Sequence, residues 1–167
     1  MGRYRNDNSI LVSPPVDEID RTWLQDLWRS EWGGDTMVSK GNVYVIDDLS
    51  ALIAKIGNFR VGALTYRVGE TDCELLSINS TTDGQGVGTQ LLQAFEEKIL
   101  ANGIHRIWLV TSNDNLNAMR FYQRRGYRII AVHPNAVDHA RRLKPTIPAI
   151  GFYDIPIHDE IELEKQF

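Results

Sequence analysis

The 167-residue sequence contains only one cysteine, Cys73. A single cysteine cannot form an internal disulfide, and Cys73 has no neighbouring cysteine or histidine pair that would complete a zinc site. We therefore expect no metal cofactor and a reducing compartment. No apolar stretch is long enough to span a bilayer, and the first residues lack the apolar segment of a signal peptide. These absences predict a cytoplasmic protein with no membrane partner.

Positive charge is also scarce. The sequence has 18 Lys and Arg against 22 Asp and Glu, which gives a formal net charge of -4. A protein that binds the phosphate backbone needs a basic surface to displace counterions, so nucleic acid is not an expected partner. Internal repeats and linker-like segments are missing as well, while 43% of the residues are hydrophobic. The sequence predicts one globular domain over residues 1–167.

Hydrophobic periodicity in the first part of the chain predicts a helix followed by strands. Asp17 is a candidate N-cap for a helix that carries Ile19, Leu24 and Trp28 at helical spacing. The alternation that follows is typical of β-structure. Apolar runs predict successive strands of an antiparallel meander at residues 43–46, 51–56 and 59–68.

The second part of the chain predicts a βαβ unit. A strand at residues 72–80 precedes a glycine-rich turn, a helix with an apolar stripe from Val87 to Ile99, and a strand at residues 104–111. Crossover connections of this kind are right-handed and make the two strands parallel. A short helix then ends before Gly126. Two more strands are predicted around a long irregular stretch: a strand at 127–132, the stretch at 134–158, and a final strand around Ile161.

A glycine-rich segment lies between the strand and the helix of this unit, and it reads Asp83-Gly84-Gln85-Gly86-Val87-Gly88-Thr89. Glycines let the backbone approach a ligand closely, and the amides and dipole of a first helical turn attract phosphate. The segment therefore predicts a pyrophosphate-binding loop, with a glycine-rich turn that binds nothing as the alternative. A P-loop would need Gly-Lys-Ser/Thr, and a dinucleotide-binding fold would need an acidic residue about 20 positions further on. Neither feature is present.

A second segment downstream reads Asn115-Leu116-Asn117-Ala118-Met119-Arg120-Phe121-Tyr122-Gln123-Arg124-Arg125-Gly126-Tyr127. It resembles the Asn-x-x-Ala-x-x-Phe-Tyr-x-x-x-Gly-Phe/Tyr signature of the GNAT superfamily of N-acetyltransferases. The glycine-rich segment resembles the acetyl-CoA motif of the same family, Arg/Gln-x-x-Gly-x-Gly, at the expected distance upstream. The first position of that motif is Asp83 here, and we expect this carboxylate to face solvent or to cap the helix.

The resemblance implies an α/β fold with a central mixed sheet of about six to seven strands, an antiparallel N-terminal meander and helices on both faces. It implies transfer of an acetyl group from acetyl-CoA to a primary amine by direct attack, without metal. The amine would belong to a small molecule or to a protein, and a homodimer is a further expectation. The alternative is an acyl-CoA-binding regulatory module of the same fold without transferase activity.

The resemblance also implies which residues bind the cofactor. The strand before the loop would pair with the pantetheine arm, and an amide of this strand, at Ile78, is a candidate donor to the acetyl oxygen. Asn115 would contact the cofactor, cap the second helix, or do both. The implied cofactor-binding residues are Leu76, Ile78, Gly84, Gln85, Gly86, Val87, Gly88, Thr89, Asn115, Ala118 and Tyr122.

Two side chains are candidate catalytic groups. Tyr122 matches the family tyrosine near the thioester sulfur, where its hydroxyl would donate a proton to the leaving thiolate; simple packing against its helix is the alternative. Asp72 and Glu74 share one face at the start of a strand, and Glu74 is the first choice for the base that takes a proton from the amine. A solvent-facing carboxylate is the alternative for Glu74. His133 and His139 are further candidates by their ordinary pKa range.

Acceptor selection is expected to depend on the N-terminal helix and on residues 133–158. Tryptophans 23, 28 and 32 of that helix would line the acceptor site or belong to the core. The charged residues in these regions leave the sign of the substrate open, because the sequence contains both basic and acidic groups. Arg120, Arg124 and Arg125 are candidates for the outer phosphates, Arg141, Arg142 and Lys144 would favour an acidic substrate, and Glu160, Glu162 and Glu164 would favour a basic one.

Overall fold

The computed structural model describes residues 8–167, so the start of the chain, where no signal segment is predicted, lies outside the described residues. Within this range the chain forms α-helices and β-strands in an α/β arrangement. In chain order they are β1 (Ile10–Ser13), α1 (Glu18–Trp32), β2 (Thr36–Ser39), β3 (Asn42–Val45), β4 (Ser50–Ile56), β5 (Phe59–Val68), β6 (Cys73–Ser80), α2 (Val87–Ala101), β7 (Arg106–Ser112), α3 (Leu116–Gln123), β8 (Arg128–His133), α4 (Ala136–Leu143) and β9 (Glu160–Gln166).

A seven-stranded mixed sheet has the order β1-β4-β5-β6-β7-β9-β8. Strands β4, β5 and β6 form an antiparallel meander, and β6 and β7 are parallel and joined by α2, as a crossover unit requires. Strand β9 lies between β7 and β8 and is antiparallel to both. The α/β fold class and the mixed sheet predicted from the sequence are confirmed.

One strand of the predicted meander belongs elsewhere. Residues 43–46 were expected in the main sheet, but β3 pairs with β2 in a separate two-stranded hairpin. Lys40 and Gly41 form the turn with φ values of 48° and 78°. Positive φ at both turn residues matches the twist of paired strands, and glycine tolerates it without steric cost. A lysine at the first turn position is an unusual signal, so β2 was not predicted from the sequence.

Helices cover both faces of the main sheet because successive residues of β4 point to opposite sides. Leu52 packs in the cluster that contains Phe95 of α2, whereas Ile53 packs in the cluster that contains Trp28 of α1. Helix α1 begins as predicted, since the Asp17 carboxylate accepts a hydrogen bond from the Asp20 amide at 2.8 Å. Ile19 was predicted on the apolar stripe of this helix, but it is 65% exposed.

The long connection before β9 contains a helix that the sequence analysis missed. Residues 134–158 were predicted to be irregular, yet Ala136–Leu143 form α4. Only Val137 and Ala140 of this helix are buried. A helix of two turns with so small an apolar stripe gives a weak periodic signal between prolines.

The main sheet opens between β6 and β7. These strands pair only at Cys73 with Ile107 and at Glu74 with Trp108. Beyond that point β6 continues along β5 with one irregularity, because Tyr66 lies opposite Leu75 and Thr65 lies opposite Ser77. Leu76 is therefore the extra residue of a β-bulge, which bends the strand away from its neighbour. The candidate site lies at this gap in the sheet.

Candidate active site

A cavity of about 770 Å³ lies at the gap between β6 and β7. Its wall contains Tyr122 of α3 and Gly88 of α2 from one face of the sheet, and it contains Trp32 of α1 and Ser39 of β2 from the other. Since the wall draws on elements of both faces, the cavity passes through the plane of the sheet. A ligand in it would reach groups on both sides.

The glycine-rich loop lies at one end of this cavity. Gly84 and Gly86 have φ values of 71° and 75°, a region that glycine adopts freely. Gly86 is the N-cap of α2 and offers no side chain to the first-turn amides, so those amides remain available to a ligand. Asp83 is exposed and precedes the N-cap. Of the two orientations expected for Asp83, it faces solvent and does not cap the helix.

The structure brings only part of the implied cofactor-binding set to the cavity wall. Of the loop residues, Gly88 reaches the wall, and a Cβ atom there would lie 3.4 Å from the Phe121 ring. Val87 instead packs in the core, and the rest of the loop is exposed outside the wall. The implied residues that line the cavity are Leu76, Ile78, Gly88, Asn115, Ala118 and Tyr122.

Tyr122 is buried in the wall of the cavity. Its ring meets those of Phe121 and Tyr127 edge-on, with centroids 5.2 Å and 5.5 Å away. Burial raises the pKa of the Tyr122 hydroxyl, so this group keeps its proton at neutral pH. Asn115 caps α3, because its side chain accepts a hydrogen bond from the Ala118 amide at 3.2 Å. Asn115 also lines the cavity, which keeps both of its expected roles possible.

Glu74 is buried in the same wall, on the α1 side. The Ser39 hydroxyl donates to one carboxylate oxygen, and the Tyr44 hydroxyl donates to the other at 3.0 Å. Burial raises the pKa of Glu74, and these hydrogen bonds only partly oppose that shift. Asp72 was predicted on the same face, but it lies outside the wall and pairs with Arg106 at 2.8 Å.

Two buried charged residues of the wall were not singled out from the sequence. Glu160 was considered only as part of an acidic run on β9, and the alternation of that strand indicated that its glutamates share one face. Lys144 was considered as part of a basic run, yet its ammonium group donates to the carbonyl oxygens of Trp32 and Thr36. Burial lowers the pKa of Lys144. No pattern in the sequence places Lys144 at the end of α1.

The remaining candidates differ in whether they line the cavity. Trp28 is fully buried in the core under α1, whereas Trp32 lines the cavity and donates to Asn79 at 3.0 Å. His133 and His139 lie outside the wall, and His133 contacts Glu162. A second depression of about 220 Å³ adjoins α3. Its lining includes three of the basic candidates, Arg120, Arg124 and Arg125.

Arg125 connects this depression to the glycine-rich loop. Its guanidinium group donates to the Thr89 hydroxyl at 2.6 Å and lies 3.7 Å from the centroid of the Phe121 ring. Positive charge is therefore held beside the first turn of α2. Within residues 8–167, no cluster of three or more His, Cys, Asp or Glu side chains has the arrangement of a metal site. In the same range, none of the helices combines the length and apolarity needed to cross a membrane.

A sheet opened beside a glycine-rich loop, with a buried tyrosine and a buried glutamate in the opening, defines an acyltransferase type of α/β domain. The sequence model of the acetyltransferase (GNAT) family matches residues 18–127. The chain belongs to this family.

Individual proteins are also similar to this chain in sequence or in fold. The uncharacterized protein YdhI of Bacillus subtilis is 40% identical to this chain, over 93% of this chain and 98% of the relative. A GNAT family acetyltransferase from Elizabethkingia anophelis with acetyl-CoA bound has a similar fold, with a TM-score of 0.71, 20% identity, and coverage of 96% and 99% of the two chains. Arabidopsis thaliana Naa50 in complex with the bisubstrate analogue CoA-Ac-MVNAL gives a TM-score of 0.70 at 16% identity, with coverage of 95% and 99%.

Proposed function

We propose that this protein transfers an acetyl group from acetyl-CoA to a primary amine by direct attack of the amine. The observation that carries this proposal is the position of Glu74 and Tyr122 in one cavity that crosses the sheet. A group that accepts a proton and a group that donates one thus face the same space from different elements. This is the pair of functions that aminolysis of a thioester requires.

The residues at the gap fit an acyl-CoA molecule. The glycine-rich loop presents uncapped amides at the start of α2, and Arg125 holds positive charge beside Thr89 of the same turn. Beyond Glu74, the edge of β6 that faces β7 has no paired strand within the described residues. Free backbone groups at Leu76 and Ile78 suit the amide groups of a pantetheine arm. When bound, acetyl-CoA supplies an acetyl group activated as a thioester.

The side chains of this protein handle the protons. Glu74 accepts a proton from the incoming ammonium group, and burial favours this role because it raises the pKa of the carboxylate. The amide of Ile78 is the candidate donor to the acyl oxygen. Tyr122 donates its hydroxyl proton to the departing sulfur. Burial raises the pKa of this hydroxyl, so the group is protonated before the transfer.

Several properties of the protein extend this proposal. We infer a cytoplasmic location and a single domain over residues 1–167, with no nucleic acid or membrane partner and no metal. The acceptor amine belongs to a small molecule or to a protein. A homodimer formed through the exposed edge at β8 is also proposed, since Ile129, Ile130 and Val132 of this strand are exposed. The mass of the protein in solution tests the dimer.

Calorimetry with acetyl-CoA, combined with an assay for release of coenzyme A thiol over a panel of primary amines, tests the proposal. We expect saturable binding of acetyl-CoA and amine-dependent thiol release. In the Tyr122→Phe variant, we expect the same binding and about 10²–10⁴-fold slower release, since general acid catalysis has that magnitude. Tight binding without release onto any amine would favour the regulatory module, and absence of binding would contradict both functions.

A further inference from the structure

Three glutamates alternate along β9 and point to one face of the sheet, where their partners differ. Glu164 pairs with Arg106 at 2.6 Å. Glu162 pairs with Lys40 at 3.2 Å and with His133 at 2.7 Å. Glu160 accepts only a 3.3 Å hydrogen bond from the Lys40 amide. Within residues 8–167, no cationic side chain forms an ion pair with Glu160.

Glu160 and Glu162 make a close internal comparison, because they lie two positions apart on one strand and each is only 5% exposed. Burial raises the pKa of Glu160, and nothing nearby compensates for it fully. Burial acts on Glu162 as well, but the hydrogen bonds from His133 and Lys40 outweigh it and lower the pKa. Lys40 and His133 thus already contact Glu162. A buried carboxylate without a cation is costly, so Glu160 is suited to receive one.

Glu160 lines the cavity, so the cation that it is suited to receive would be a ligand bound in that cavity. Ser39 contacts Glu74 and the adjacent Lys40 contacts Glu160, so both carboxylates flank the turn of the β2–β3 hairpin. Both oxygens of Glu74 accept hydroxyl hydrogen bonds, whereas one oxygen of Glu160 has no hydrogen-bond partner among the described residues. The two glutamates therefore have different capacities for an incoming group.

Much of the rest of the cavity wall is apolar. Met37 and Val38 of β2 contribute to it, as do Ile147 and Phe152 from the connection before β9. The ammonium group of Lys144 also lies in the wall, but two main-chain carbonyls already accept its protons. The wall therefore offers contact area for an apolar body. Of its buried carboxylates, Glu74 and Asp114 accept hydrogen bonds on both oxygens, whereas Glu160 accepts one and is suited to a positive charge.

We propose that Glu160 binds the ammonium group of the acceptor, and that the acceptor is a primary amine with an apolar body and no carboxylate beside the amine. This inference rests on the proposed acetyltransferase function and names its substrate class. Glu160 receives the amine as a cation and brings it into the cavity. Glu74 then takes the proton that leaves nitrogen, so the two carboxylates have separate tasks.

Binding of 2-phenylethylamine to the protein saturated with coenzyme A, measured by calorimetry, tests the proposal without turnover. We expect wild-type protein to bind this amine and n-hexylamine, and to bind 2-phenylethanol and phenylalanine at least about tenfold more weakly. The alcohol lacks the positive charge, and the amino acid adds a carboxylate that Glu160 repels. This comparison of ligands requires no variant.

Two variants test whether the amine binds at Glu160. Glu160→Gln keeps the shape of the side chain and removes its charge, and we expect amine affinity to fall about 10- to 100-fold, as the loss of a charge-assisted hydrogen bond predicts. Affinity for coenzyme A should not change. Glu164→Gln is the matched control on the same strand and face, outside the cavity wall, and its amine affinity should equal that of wild type. Thermal unfolding of both variants checks that they fold.

Three results would overturn the inference: equal binding of the alcohol and the amine, no binding of either amine to the coenzyme A complex, or unchanged amine affinity in Glu160→Gln. Failure of the proposed function looks different, because the wild-type protein would then either not bind coenzyme A or bind acetyl-CoA without releasing thiol onto any amine. If Glu160→Gln did not fold, Glu160→Asp would replace it. That variant keeps the charge and should retain discrimination between the amine and the alcohol.

Discussion

Glu74 is a buried carboxylate held by two hydroxyl groups, and this setting determines how its proton affinity responds to change. Burial raises its pKa above the ordinary 4.5, whereas the hydrogen bonds from Ser39 and Tyr44 lower it. A hydrogen bond to a carboxylate stabilises the charged form, so its removal raises the pKa further. Burial and the two hydroxyl groups therefore together determine the pH at which Glu74 becomes a competent base.

This setting predicts the pH dependence of transfer. Because the base must be deprotonated, kcat/KM should fall as pH drops through the pKa of Glu74. The Tyr44→Phe variant removes one hydrogen bond and should move that acid limb to higher pH. Glu74→Gln should lower kcat about 10²–10⁴-fold, the usual contribution of a general base. Rates of thiol release over a pH series measure both effects.

Affinity for acetyl-CoA serves as the control in these variants and should stay constant. The base assignment is wrong if Tyr44→Phe shifts the acid limb downward, or if Glu74→Gln retains the wild-type rate across the pH series.

Sequence alone indicated some of these residues and not others. Tyr122 lies in a motif, and Glu74 lies at a strand start, so local patterns were sufficient to name them. Glu160 also lies in an alternating strand, but alternation does not say which face meets a cavity. That information depends on the pairing of β9 with β7 and β8, which is set by contacts far apart in the sequence.

At the scale of elements, Lys144 joins three parts of the chain. It follows α4, and its ammonium group donates to the last residue of α1 and to the first residue of β2. The carbonyl at the end of α1 carries partial negative charge from the helix dipole, which favours a cation there. This contact fixes the connection over the α1 side of the cavity. Neither α4 nor the hairpin was predicted, because short elements depend on such distant contacts.

The Lys144→Met variant tests this connection. Methionine keeps a long apolar stem but cannot donate hydrogen bonds, so two carbonyl groups lose their partner. We expect the free energy of unfolding to fall by about 1–3 kcal/mol, measured by urea denaturation. Arg142→Met is the matched control, because Arg142 is exposed near the end of the same helix. Equal losses in both variants would show that the two carbonyl contacts contribute nothing.

At the scale of the whole molecule, the sequence predicted the crossover unit and most of the main sheet. Long apolar runs and the βαβ order carry strong signals, because they bury a large part of the core. The gap between β6 and β7 depends on a bulge at Leu76 and on the path of β9, and no local pattern marks either. The sequence thus predicted the strands and the helix that surround the site, whereas the cavity through the sheet depends on tertiary strand pairing.

One buried acid, Asp20, connects α1 to the main sheet. Asp20 is fully buried and pairs with Lys55 of β4 at 2.9 Å and with Arg60 of β5 at 2.7 Å. Burial alone would raise the pKa of Asp20. The hydrogen bonds from Lys55, from the Val16 amide and from Arg60 outweigh burial and lower the pKa from 3.8 to about 2.

Asp20 therefore makes global stability depend on pH in the acid range. A carboxylate whose pKa is depressed by folding contributes stability above its unfolded pKa of 3.8, and this contribution is lost as pH falls toward about 2. We expect Asp20→Asn to lower the free energy of unfolding by about 2–3 kcal/mol at neutral pH, since it leaves two partly buried cations without their partner. Its stability should also change less than that of wild type between these pH values, as measured by urea denaturation.

Asp26→Asn, which removes only an exposed pair with Arg29, should stay within about 0.5 kcal/mol of wild type. Parallel stability curves for Asp20→Asn and wild type through this range would show that α1 is held to the sheet by other contacts.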